Sequence, residues 1–383
     1  MNHYFILGRE KKISTAEIAV ILNTSNYKIQ GDILKVKKEI DAKSLIEVLG
    51  GTIKIGTEIN NNLSLQEIKE EIIKNLQDNT GKINFGLSFY GEIKTDTKKL
   101  GLEIKKELKN LGKSVRYVEG KEGILNAAQI IGNKIIEKGG DFIIENEAGK
   151  YNLAKTVAIQ NVNEWSKRDF DRPGSDSLSG MLPPKLSMMM INLSGAKKTD
   201  IILDPFCGSG TILTEALYME YKNLIGSDFS AKAVEDTEKN VEWMAKEFEE
   251  KSQNSKIELH HIDIVDITKK IKEKSIDTII TEPYLGKPLR GNEDEEFILN
   301  QTQELKELYI SAFENFKNIL KPNGIVVFII PQFKYKNDWI KIDCLKEIKD
   351  LGFKQENFEN KEYLLYHRSN QKLGRGIYKF KKI

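Results

Sequence analysis

At 383 residues the chain is too long for one ordinary domain and points to two or three. Its composition, 39% hydrophobic and 30% charged, suits a soluble protein with large solvated faces. The formal net charge of +2 leaves any nucleic-acid affinity to local basic patches. No stretch approaches about 18 uninterrupted apolar residues, so no membrane span is expected. The opening "MNHYFILGREKKISTAEIAVIL" has no basic region before its apolar run and no small-residue cleavage site, which argues against a signal peptide. The two cysteines, Cys207 and Cys344, lie far apart, which suits the reducing cytoplasm. The four histidines form no helix-spaced ligand pair, and no metal site is expected.

In chain order, "HYFIL" reads as a strand. "ISTAEIAVIL" follows as a helix, with Ser14 and Glu17 in capping-box spacing. Residues 53–59 and 83–91 read as strands, and 97–114 as an amphipathic helix carrying Leu100, Ile104, Leu108 and Leu111 on one face. Strands return at 141–147 and 151–160. The pattern is α+β, without the glycine-rich turns of a βαβ succession. Residues 161–184, rich in charge, glycine, serine and proline, read as a connector with no regular element. It ends in an apolar helix, "KLSMMMINLSG", closed by Gly195.

The second half changes character. "DIILDPF", "NLIGSDF", "IELHHIDI", "IDTIITEPY" and "GIVVFIIPQ" are short apolar runs separated by helical stretches. Strands buried on both faces indicate a parallel sheet with crossover helices.

Within that half, "LDPFCGSGTILTEA" (203–216) ends a strand at Asp204, turns through Gly208 and Gly210, and starts a helix near Thr211. Glycines let the backbone approach a ligand, and a helix N-terminus offers unpaired N–H groups. A nicotinamide-binding turn would need a third glycine where Leu213 stands, and an acid at the strand end would repel a pyrophosphate. The acid suits a cationic cofactor without phosphate, S-adenosylmethionine, whose amino group it can bind. Phe206 belongs to the same candidate cradle. Eighteen residues beyond Gly210, Asp228 ends the next apolar run, placed for the ribose hydroxyls, with Phe229 beside it. Asp263 is the candidate acceptor for the adenine amino group, with Asp266 as competitor and helix capping as the plainer role of either.

The fourth run ends in Thr281-Glu282-Pro283-Tyr284, similar to the Asp-Pro-Pro-Tyr signature of amine-directed methyltransferases. Such an enzyme needs acceptors for the amine hydrogens and an aromatic face for the base. Aligned on the tyrosine, Thr281 takes the Asp position; aligned on the acid, Glu282 does. Glu282 is the favoured acceptor, with the Pro283 carbonyl beside it and Tyr284 stacking. A purely structural turn is the alternative.

With these motifs in place, the chain resembles the THUMP-domain RNA methyltransferases, and within them the tRNA guanosine-10 N2-methyltransferase family. The resemblance extends to "YFILGREKKISTAEI", "AKTVAIQNVNEWSKRDFDRP", "GMLPPKLSMMMINLSG" and the closing "HRSNQKLGRGIYKF". It implies a ferredoxin-like domain (1–58), a THUMP domain (59–158), a linker (159–184) and a Rossmann-like class I methyltransferase domain (185–383). It also implies a tRNA partner gripped by the N-terminal domains. Lys105, Lys106, Lys109, Lys113 and Arg116 are candidate phosphate contacts, with a solvated helix face as the alternative for the lysines. A monomer is expected, with room for an activating partner protein. Two other readings remain in play: a DNA N6-adenine or N4-cytosine methyltransferase, and an RNA-binding protein with impaired catalysis.

Overall fold

The computed structural model describes residues 1–92, 95–174, 181–368 and 371–383. They form two compact units, one of Met1–Thr15 with Asn23–Trp165, the other of Ala16–Leu22 with Ser166–Ile383.

The first unit holds β1 (Asn2–Leu7), β2 (Tyr27–Gln30), β3 (Ile33–Lys37), β4 (Thr52–Leu63), β5 (Lys82–Tyr90), β6 (Ser114–Val118), β7 (Gly139–Glu147) and β8 (Lys150–Ile159). They make one sheet in the order β2-β3-β1-β4-β8-β7-β5-β6. The expected border at 58/59 falls inside β4, which pairs with β1 on one side and β8 on the other. Every residue of β5 after Lys82 is buried, the polar Asn84 and Ser88 included. Helix Leu65–Leu76 starts on a capping box, Ser64 with Glu67, and buries Ile68, Ile72 and Leu76. Helix Thr97–Asn110, capped by Asp96, buries Leu100, Ile104 and Leu108 in the same core. Leu111, expected on that face, is 55% exposed because the helix has already ended at Asn110. Ser14 is likewise no N-cap. The first helix runs Lys11–Leu22, and the Ser14 hydroxyl donates back to the Glu10 carbonyl at 3.0 Å.

The second unit holds β9 (Ile201–Asp204), β10 (Asn223–Asp228), β11 (Lys256–His261), β12 (Ile276–Thr281), β13 (Leu320–Tyr335), β14 (Asp338–Lys341), β15 (Phe353–Glu356), β16 (Leu364–Tyr366) and β17 (Leu373–Lys382). The main sheet runs β11-β10-β9-β12-β13-β17-β15; β14 pairs β13 and β16 pairs β17. The first five strands are parallel, and β17 enters antiparallel to β13. The expected Rossmann-like sheet is therefore present, with its order reversing at β9 and β12. In such sheets ligands bind outside the carboxyl ends of the strands at that reversal. Helix Glu295–Ile319 covers one face through Leu305, Tyr309, Phe313 and Phe316, packed against Val326 and Phe328 of β13.

The connector differs from expectation. Residues Val162–Phe170 form a helix, with Trp165 and Arg168 buried inside an otherwise polar sequence. Its middle, 175–180, lies outside the described residues. The apolar helix that follows, Pro184–Ser194, ends at Gly195 in a left-handed conformation with φ 72°.

Candidate active site

The parallel register brings the strand ends together. Gly226 of β10 stands beside Asp204 of β9, and Ile279 of β12 beside Leu203. Asp204 is 2% exposed, and one carboxylate oxygen accepts the Phe206 N–H at 3.2 Å and the Thr281 hydroxyl at 2.6 Å. Burial pushes its pKa up to about 7, helped by the charges of Asp228 and Glu282 and opposed by those two hydrogen bonds.

The turn after β9 is built around two glycines. Gly208 has φ 54°, and a Cβ there would meet nothing within 4 Å. Gly210 has φ 78°, and a Cβ there would lie 2.7 Å from Thr237 Cγ2. Gly208 is thus needed for its backbone and the open space beside it, Gly210 also for close packing. Asp228 fixes the turn by accepting the Gly208 N–H at 3.0 Å, while its other oxygen takes the Ser230 N–H at 2.9 Å. Thr237 Oγ1 donates to the Gly208 carbonyl at 2.8 Å. Helix Thr211–Tyr218 then begins with Gly210 as an N-cap that offers no side chain. Cys207 is buried and its thiol is pushed up by burial, consistent with a small loop residue.

Phe229 follows Asp228 with 71% of its surface exposed, its carbonyl near His261 Nε2 at 3.0 Å. Asp263 is exposed, and its carboxylate caps the short 3-10 helix Ile264–Lys269 by accepting the Val265 N–H at 3.1 Å. Each carboxylate has lone pairs beyond those the backbone uses, so the set fits an adenosine bearing a cationic amino acid. Among the described residues no group of three or more His, Cys, Asp and Glu is placed to hold a metal ion.

At the end of β12 the two candidate acceptors separate. Thr281 is fully buried and its hydroxyl points to Asp204. Glu282 forms an ion pair with Arg375, whose Nε donates to Glu282 Oε1 at 2.5 Å. Burial raises the Glu282 pKa, and the charge and hydrogen bond of Arg375 oppose that rise. Pro283 is buried, while Tyr284 is 54% exposed. The Tyr284 carbonyl is held by the Tyr309 hydroxyl at 2.8 Å, and Gln301 Oε1 accepts the Lys287 N–H at 2.7 Å. Arg375, Tyr309 and Gln301 were not legible as site residues, because each comes from a distant segment. In the first unit Lys106, Lys109 and Arg116 are exposed and Lys105 and Lys113 half-buried, with Lys113 donating to the Asn79 carbonyl.

Comparison with known proteins bears on the family and the fold. The UPF0020 family, described as the RMKL-like methyltransferase domain, matches residues 174–349. A probable tRNA (guanine(10)-N2)-dimethyltransferase of Methanothermococcus thermolithotrophicus is 34% identical over 152 residues, 38% of this chain and 78% of that protein. The chain belongs to the tRNA (guanine(10)-N2)-dimethyltransferase family. A second member, from Methanocaldococcus jannaschii, is 29% identical over 47% of this chain, and the match spans 48% of its own length. Among solved structures, TrmN from Thermus thermophilus shares the fold, with a TM-score of 0.56 at 13% identity over 100% of this chain and 99% of that one. SMU.472 in complex with SAH follows at a TM-score of 0.50 and 14% identity, covering 100% and 98%.

Proposed function

We propose that the protein methylates the exocyclic N2 amine of a guanosine in tRNA, position 10, by direct in-line transfer. The carrying observation is the Glu282–Arg375 pair at the end of β12, beside Asp204 and next to the exposed Tyr284 ring. Ionised Glu282 is an acceptor only. With the Pro283 carbonyl it can take both hydrogens of the amine and turn the nitrogen lone pair outward, while Tyr284 offers its face to an extruded base. Thr281 supports the site indirectly by holding Asp204. S-adenosylmethionine supplies an electrophilic methyl group when bound; Asp204, Phe206, Gly208, Gly210, Thr211, Asp228, Phe229 and Asp263 form its cradle in this reading. Positioning and lone-pair direction supply the catalysis, and no covalent enzyme intermediate is required.

The first unit is the RNA-gripping part, combining the ferredoxin-like and THUMP segments. Its support is a cleft of about 490 Å3 lined by Lys28, Lys35, Lys37 and Lys150 with Glu58, Glu147 and several asparagines, in which Lys35 pairs with Glu147. Lys105, Lys106, Lys109, Lys113 and Arg116 add a second basic face. A monomer working in the cytoplasm completes the reading, and no helix among the described residues is long and apolar enough to cross a membrane.

Incubating the protein with unmodified tRNA and methyl-labelled cofactor, then digesting to nucleosides, tests this. Label in N2-methylguanosine or its dimethyl form is expected. Label in N6-methyladenosine would overturn the choice of amine, and a fully active Glu282→Gln variant would remove the role given to that carboxylate.

A further inference from the structure

Two strands rise past β12 on the side of the site away from Asp204. Thr281, the last residue of β12, pairs with Phe328 of β13, and Phe328 with Tyr378 of β17. Both strands continue beyond that level. Arg375 lies three residues from Tyr378, opposite Pro331 of β13 on one side and Tyr366 of β16 on the other. At about 3.3 Å per residue its backbone stands roughly 10 Å past the end of β12. Neighbouring strands hold it there closely. A Cβ at Gly376 would lie 2.9 Å from the Ile330 carbonyl oxygen, and one at Gly374 would lie 3.0 Å from Leu365 Cδ1.

From this position Arg375 reaches Glu282, and the pair leaves much of its hydrogen-bonding capacity unused. The two side chains are 9% and 13% exposed and meet only through Nε and Oε1. A guanidinium set squarely against a carboxylate would engage two N–H groups with both oxygens. Here, among the described residues, Glu282 Oε2 and the two Arg375 Nη atoms make no hydrogen bond, and none of the three is sealed from solvent. A largely enclosed ion pair is favourable only when its remaining lone pairs and protons are satisfied. The open atoms belong to a pair two residues from the exposed Tyr284 ring, whose backbone carbonyl is held by Tyr309.

We infer that this pair reads the Watson–Crick edge of guanine. The Glu282 carboxylate accepts N1–H together with one N2 hydrogen, and Arg375 donates from Nη to O6. The inference rests on the proposed function and sharpens it, from an acceptor for any amine to a site for one base. Guanine presents N2–H, N1–H and O6 along that edge, donor, donor and acceptor. A carboxylate beside a guanidinium offers the complement, and the Pro283 carbonyl remains for the second N2 hydrogen. Adenine with its N6 amine at Glu282 would turn its N1 lone pair against the carboxylate, and cytosine its N3 lone pair.

The competing role is tuning, in which Arg375 only sets the charge of Glu282. Single-turnover methylation of tRNA carrying either guanosine or 2-aminopurine at position 10, with the full chain, separates the two. 2-Aminopurine keeps the reacting amine and lacks both N1–H and O6. Wild-type protein is expected to prefer guanosine about 100-fold to 10,000-fold, the worth of two charge-assisted contacts. Arg375→Met, assayed where its rate no longer varies with pH, should shrink that preference about 10-fold to 100-fold. Slower reaction on both substrates with the preference intact would identify tuning and overturn the inference, as would wild-type protein indifferent to the two bases. Should Arg375→Met lose its cooperative thermal transition, Arg375→Lys carries the test, since it keeps the charge beside Glu282 without the second guanidinium edge. A reduced preference then supports the contact to O6, and a wild-type preference refutes it. Wild-type protein that leaves the guanosine tRNA unmethylated would overturn the proposed function, and the inference with it.

Discussion

Asp204 shows how one buried carboxyl couples binding to pH. Its folded pKa of about 7 lies above its ordinary value of 3.8 because burial disfavours the charged form. The protonated form therefore suits the free protein, and that stabilisation, complete below pH 3.8, is lost as pH rises through 7. An ammonium ligand demands the ionised form. The affinity for S-adenosylhomocysteine should accordingly rise between about pH 6 and pH 8, and Asp204→Asn should bind more weakly with that slope abolished. A pH-independent wild-type affinity, measured by calorimetry, would take Asp204 out of the ammonium contact.

Arg375 acts on the neighbouring acid by the same physics in reverse. The groups around Glu282 are Asp204 on β9, Arg375 on β17 and Tyr309 on helix Glu295–Ile319, whose hydroxyl burial keeps neutral. Removing the guanidinium leaves burial unopposed, so Arg375→Met should move the acid limb of the methylation rate to higher pH. S-adenosylhomocysteine affinity should stay within about 2-fold. A pH–rate profile unchanged in shape would mean that Arg375 does not tune Glu282. The sequence favoured Glu282 over Thr281 as the acceptor, although the two alignments differ by only one residue. Alternation along β12 separates them, turning Thr281 to Asp204 and Glu282 to an arginine 93 positions away.

Among elements, the glycine turn after β9 was the most legible, since strand, two glycines and helix follow within one short stretch. What the pattern hid is that its glycines differ. Gly210→Ala places a methyl 2.7 Å from Thr237 Cγ2 at φ 78°, and should cost about 2–4 kcal/mol from strain and overpacking. Gly208→Ala meets open space, and should cost only about 1–2 kcal/mol for its left-handed backbone. Because that open space is where the ligand would lie, Gly208→Ala should nevertheless lose cofactor binding. Urea unfolding paired with calorimetry checks the contrast, and equal destabilisation by the two variants would contradict the packing difference. The connector was misread for the opposite reason. Helix Val162–Phe170 buries an arginine against a glutamate and a tyrosine ring, and polar residues doing core work leave no apolar period to detect.

For the whole molecule, the alternation of elements announced an α+β half followed by a parallel sheet, and both are present. The continuity of the first sheet through β4 was not visible, because a domain border and a long strand look alike in composition. That continuity is reinforced by a buried network crossing four strands. Lys54 Nζ on β4 donates to Ser88 Oγ on β5 at 2.9 Å and to Asp141 Oδ2 on β7 at 2.6 Å. The Asp141 oxygens also accept the Ser88 hydroxyl at 2.7 Å and the Thr156 hydroxyl on β8 at 2.7 Å. Lys54 and Asp141 are 1% and 0% exposed, so removing one charge strands the other. Lys54→Met should therefore destabilise the first unit by about 3–5 kcal/mol. Adding Asp141→Asn removes the stranded charge while keeping an amide for the two hydroxyls, and should recover most of that loss. Both variants should bind S-adenosylhomocysteine as the wild type does, since every residue assigned to the cofactor belongs to the second unit. A double variant no more stable than Lys54→Met in urea would show that lost packing, and not the unpaired aspartate, sets the cost.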